Sequence, residues 1–146
     1  MQDYYAAPVN LGLLVKKKRL KRLSLRESVE QHLYLIIISR FGEFRYDYHY
    51  GCGLWDYDFE VLPRGTSWKG QLEKSMAEVM DKLEPRLSQV SVKVEITQEH
   101  IRSLSFVRAG RLKKCIRISV KGLLVPTNEP FAKDDYQVYF SPISLD

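Results

Sequence analysis

Cysteine is scarce in this chain: Cys52 and Cys115 are the only two among 146 residues. So wide a spacing argues against a disulfide scaffold and fits a reducing compartment. Metal-ligand spacing is missing too, since His32, His49 and His100 have no such relation to one another or to the cysteines. No long apolar run is present. The longest, residues 33–38, falls far below the ~20 residues of a membrane span. A secretory leader is not expected, because Pro8, Asn10 and Gly12 break the apolar start and its basic residues follow rather than precede it. There is no internal repeat and no low-complexity segment. The length suits one domain that can bury a core without a metal or disulfide staple.

Acid is absent from one stretch. Lys16-Lys17-Lys18-Arg19-Leu20-Lys21-Arg22 holds six bases and no carboxylate. The formal charge is +5, yet outside this run 17 bases face 18 acids. The basicity is therefore local, and a nucleic-acid-binding body is not indicated. No aromatic residue interrupts the run, so it lacks the stacking groups of a single-strand binder. Four readings stay open: a grip on phosphate, an acidic membrane surface, an acidic protein patch, or a plain solubilising arm. Residues 1–23 show no sustained period and are expected to form a flexible basic arm, with one domain over 24–146.

Ser24-Leu25-Arg26-Glu27 fits a capping box. Leu25, Val29, Leu33, Ile36 and Ile37 follow at helical spacing, which predicts a helix over 25–40 with Gly42 as its stop. Residues 44–59 are aromatic: Phe44, Tyr46, Tyr48 and Tyr50 precede Trp55, and Tyr57 and Phe59 follow it. Such density serves cores and protein–protein hot spots equally well. Gly51-Cys52-Gly53 implies a tight turn. After Pro63-Arg64-Gly65, Thr66 or Ser67 can cap a second helix whose stripe is Trp68, Leu72, Met76, Val79, Met80 and Leu83; Pro85 ends it. The period then changes to two. Val90, Val92, Val94 and Ile96 form one strand, Ile116, Ile118 and Val120 a second, and Tyr136, Val138 and Phe140 a third. Residues 99–114 read as a loop and short strand turning at Ala109-Gly110. The fold class is α+β, with two amphipathic helices packed on an antiparallel or mixed sheet.

Asp56, Asp58 and Glu60 alternate, so in a strand they share a face. Paired carboxylates can serve glycoside hydrolysis. A solvated strand face explains them as simply, because nothing marks one acid as a proton donor. Gly51-Cys52-Gly53 lacks the Lys-Ser/Thr of a phosphate loop. No catalytic, cofactor-binding or metal-binding residue is assigned. In Glu84-Pro85-Arg86 a proline separates an acid from a guanidinium where a helix gives way to a strand, and it sends the two side chains off in set directions.

In order and spacing, the capped helix ending at Gly42-Glu43, the turn Tyr50-Gly51-Cys52-Gly53-Leu54, and Glu84-Pro85-Arg86-Leu87 before alternating strand make up a pattern. It resembles the small baseplate wedge proteins of contractile phage tails, whose type VI secretion member is TssE. The likeness spans residues 25–139. The tyrosine-rich segment 44–49 without proline and the basic run depart from it. The resemblance implies a non-enzymatic structural subunit in the cytoplasm. Its partners would be larger wedge subunits (TssF- and TssG-like) and sheath subunits, with no nucleic acid, membrane insertion or cofactor. Partner contacts would fall at Glu84, Pro85 and Arg86, at Gly51, Gly53 and Leu54, and on a terminal strand carrying Val138 and Phe140. The alternative is a cell-wall glycan hydrolase, since some relatives have carried a lysozyme label.

Overall fold

The computed structural model describes residues 3–56, 67–100 and 112–140. In chain order run β1 (Tyr4–Tyr5), α1 (Leu11–Lys17), β2 (Arg22–Leu23), α2 (Leu25–Ile38), a 3-10 turn (Gly53–Asp56), α3 (Ser67–Leu83), β3 (Leu87–His100), β4 (Leu112–Leu124) and β5 (Glu129–Phe140). The class is α+β as expected. The turn at 109–110, and Asp58 and Glu60, lie outside the described residues.

The capping box forms. Ser24 Oγ accepts from the Glu27 amide at 3.2 Å, and Glu27 accepts from the Ser24 amide at 2.8 Å. Val29, Leu33, Ile36 and Ile37 are fully buried. The helix stops at Ile38, short of the predicted Arg40. Ser39 turns extended (φ −93°, ψ 133°) and its carbonyl accepts from the Cys52 amide at 3.0 Å, closing a loop with a parallel bridge between Arg40 and Cys52. Gly42 (φ +81°) serves that loop rather than the helix end. The carbonyl of Ile37 accepts from Trp55 Nε1 at 2.9 Å and from the Cys52 thiol at 3.3 Å, which satisfies a helix-end group inside the core.

β3, β4 and β5 form an antiparallel meander. One face carries Val92, Val94, Ile116, Ile118, Val120, Phe131, Tyr136 and Val138 into the core with Leu72, Met76 and Met80 of α3. The other carries exposed Lys93, Glu95, Arg117 and Gln137, the usual arrangement of a one-sided antiparallel sheet. Two bulges shift the pattern. Gln89 takes φ +52° where the β3–β4 register slips, so Leu87 and Val92, an odd number of positions apart, share the buried side. A second slip, between Ile118 and Val120, brings Phe131 and Tyr136 to one face. Each outer strand has a side chain on its free edge. Glu73 of α3 accepts from the Val94 amide at 2.8 Å, and Arg26 of α2 donates to the carbonyls of Pro130 (2.9 Å) and Ala132 (3.3 Å).

Short regular elements stand within the stretch expected as a flexible basic arm. β1 and β2 pair antiparallel, α1 is capped at Asn10, and Gln31 of α2 donates to the Ala7 carbonyl at 3.1 Å. A seven-residue helix between two-residue strands is too short to leave a readable period.

Candidate partner-docking site

Glu84 follows the last turn of α3, with its amide still bonded to the Met80 carbonyl. Pro85 cannot continue the helix, and Leu87 closes a tight turn onto the Glu84 carbonyl at 3.1 Å. That turn faces the Glu84 carboxylate toward the Arg86 fork. Arg86 Nε donates to Oε1 and Nη2 to Oε2, both at 2.7 Å, and the Arg86 amide donates to Oε1 at 3.2 Å. His32 Nδ1 stands 2.7 Å from Oε2.

Glu84 is 1% exposed, the one buried charged side chain among the described residues. Burial would raise its carboxyl, but the hydrogen bonds from Arg86 and His32 and the Arg86 charge outweigh that and hold it at about 2. An ionised carboxylate only accepts, so His32 Nδ1 carries the proton between them. Arg86 is driven up by its bond to Glu84. Its Nη1 donates to Ser28 Oγ at 2.9 Å, and the Tyr4 ring of β1 lies 5.0 Å from its Cζ, a cation–π contact.

The pair is thus neither a loose surface bridge nor two charges awaiting a partner. Four donors occupy Glu84, which acts as the holder. Arg86 (24% exposed), His32 (28%) and exposed Pro85 form what a second protein can touch. His32 escaped the sequence reading. Its signal was the spacing of Ser28 and His32, four apart beside the apolar stripe of α2.

From His32 a row of rings leads outward along loop 39–52. Tyr50 lies 5.9 Å from His32, Phe44 lies 5.5 Å from Tyr50, and Tyr46 lies 5.7 Å from Phe44. Tyr50 and Trp55 pack on the core, whereas Tyr46 is 85% and Tyr48 66% exposed. The aromatic segment therefore divides between core and surface. Gly51 holds the loop shut, because a Cβ there would meet the Ser39 carbonyl oxygen at 2.6 Å.

Two of the other expected contact positions are internal. Leu54 is fully buried and Val138 is 8% exposed. At Gly53 an added Cβ would meet nothing closer than 3.8 Å. Phe140 pairs with Lys114 through its backbone at the end of β5, and its side chain lies outside the described residues. Asp56 is exposed at the close of the 3-10 turn. Cys52 and Cys115 are free and buried, and burial pushes the Cys52 thiol up to about 11, the wrong direction for a nucleophile. Among the described residues no group of His, Cys, Asp and Glu could hold a metal ion, and no helix is long and apolar enough to cross a membrane.

A protein of Geobacter sulfurreducens, described as a candidate tail lysozyme, has a crystal structure similar to this fold. The TM-score is 0.51 at 19% identity, over 85% of this chain and 96% of that one. At that identity the likeness concerns the fold alone. No curated protein matches the sequence. Residues 23–129 match the family described as Baseplate wedge protein gp25, a span running from the capped first turn of α2 through the Glu84–Arg86 turn to the start of β5. The chain belongs to the baseplate wedge protein gp25 family.

Proposed function

We infer that this protein is a structural wedge subunit of a contractile injection machine, held to larger wedge subunits (TssF- and TssG-like) by the surface around Arg86. One observation carries the reading: Glu84, saturated by four hydrogen bonds, fixes an arginine fork at the surface beside a row of rings ending in exposed Tyr46. Arginine and tyrosine are the side chains most enriched where binding energy concentrates. Pre-ordering the fork lowers the entropy lost on docking. The same observation favours a non-enzymatic role, because Glu84 stays ionised and fully accepted at neutral pH and has no proton to donate.

Sheath initiation would use β5. Arg26 occupies the outer carbonyls of Pro130 and Ala132, so the stretch offered to an incoming strand is 134–140, which includes Val138 and Phe140. Such a subunit would work in the cytoplasm, where a baseplate and sheath assemble.

Co-purification with the larger wedge subunits tests the docking surface. Arg86→Lys keeps a charge beside Glu84 but loses the planar fork, and Tyr46→Ala removes a ring with no place in the core. Both variants are expected to stay folded by circular dichroism and to bind roughly tenfold or more weakly, the loss of one hot-spot side chain. Undiminished capture by both would rule out this surface. Turnover of peptidoglycan by the purified protein would establish the hydrolase alternative instead.

A further inference from the structure

The basic run takes on a definite shape in the structure. Lys18 adopts a left-handed conformation (φ 50°) at the end of α1 and turns the chain back. Lys18, Arg19 and Arg22 thereby line an open cavity of about 610 Å³ with Tyr5, Leu14 and Leu20. Arg22 meets Asp3 at 3.6 Å, both well exposed, while no ion pair engages Lys18 or Arg19 among the described residues. No residue of α1 is buried. Leu11, Leu14 and Val15 recur along one side of it at 67%, 40% and 79% exposure, and that side continues into Lys18. An aliphatic stripe thus runs directly into a cationic hollow, and two turns of helix gain little stability in water without something to pack against.

We propose that this cavity and stripe bind an acidic protein segment presenting an apolar side chain. Its carboxylates would pair with Lys18, Arg19 and Arg22, and its apolar group would enter among Tyr5, Leu14 and Leu20. Charge complementarity fixes the sign of the occupant, and the apolar half of the lining fixes the rest. A phosphate backbone has no use for Leu14 and Leu20, and a single tyrosine makes no stacking platform. A planar anionic membrane would meet cations on an outward-facing surface, whereas these three line a hollow. The site goes beyond the Arg86 surface and rests on separate observations.

Fluorescence anisotropy of the full chain tests the site. The probe is a labelled twelve-residue peptide of glutamates with two leucines four positions apart; its counterpart has serines in place of the leucines. Saturable binding of the leucine peptide is expected, at least tenfold tighter than the serine peptide and weakening with salt. Lys18→Glu with Arg19→Glu, and separately Leu14→Ser, should each weaken it at least tenfold, while Lys93→Gln, on the exposed face of the sheet, leaves it unchanged. All three altered side chains are exposed, so the fold should persist. If charge reversal disturbs the arm, Lys18→Gln with Arg19→Gln gives the same test. Equal binding of both peptides, or affinity unaltered in the variants, would overturn the proposal. Preference for phosphatidylglycerol vesicles or duplex DNA over the leucine peptide would overturn it as well.

Discussion

Glu84 keeps its charge in the interior because three donors of Arg86 and one of His32 converge on two oxygens. The ordinary carboxyl value is 4.5 and the folded value about 2. A depressed folded value means stability fully present above the unfolded value and lost as pH falls through the folded one. Glu84 should therefore contribute about 3 kcal/mol at pH 7, declining from roughly pH 5 to pH 2. Glu84→Gln leaves Arg86 half-buried without its counter-charge and should lower stability at pH 7 by about 3 kcal/mol. Urea unfolding at pH 7, 5 and 3 checks this: the gap between the two proteins should narrow as the pH drops, and a constant gap would show that the charge contributes nothing. Gly51 supplies a second residue-level expectation. With φ +127° and a backbone oxygen 2.6 Å from where a Cβ would stand, Gly51→Ala should cost at least ~2 kcal/mol, whereas Gly53→Ala, whose Cβ would meet its nearest neighbour at an ordinary contact distance of 3.8 Å, should be near neutral. Thermal melts of the two variants separate them.

Among the elements, β5 carries the sharpest expectation. Alternate amides of an edge strand face outward, so proline placed in turn at Gln137 and Val138 removes an outward donor in one variant and a β4-facing donor in the other. The variant that keeps the β4 ladder should fold yet fail to support sheath polymerisation, with Val138→Thr as the control that retains the amide. If the folded proline variant polymerises sheath normally, strand addition on 134–140 is wrong. α2 was readable because its cap and its stripe are both local signals. The meander was readable where the alternation ran unbroken, as over 90–96. It failed at Gln89 and near Lys133, where bulges change the phase, so Leu87 and Phe131 went unassigned although both are 2% exposed. No alternating pattern announces an inserted residue. Glu84, Pro85 and Arg86 stood out by type, but the role of Glu84 depends on His32 and Ser28, more than fifty residues earlier and brought alongside only when α2 packs.

For the molecule as a whole, the arm is an attached module. Among the described residues, Tyr4 over Arg86 and the Gln31–Ala7 hydrogen bond tie it to the body, each worth about 1 kcal/mol. Deleting residues 1–22 should lower stability by roughly 1–2 kcal/mol, seen as a melting point down by a few degrees, with the cooperative transition intact. A collapse of the transition would show that the arm belongs to the core. The two edges of the sheet are not alike. Glu73 fills the Val94 amide on the β3 side, and α3 lies against that strand, while on the β5 side Arg26 holds the carbonyls of Pro130 and Ala132 at the start of the strand. A sheet blocked along one margin and open along the other would have polarity, as a filament has a growing end. On the proposed reading strands would be recruited on one flank only, so the molecule would seed an array and would not be inserted into the middle of one.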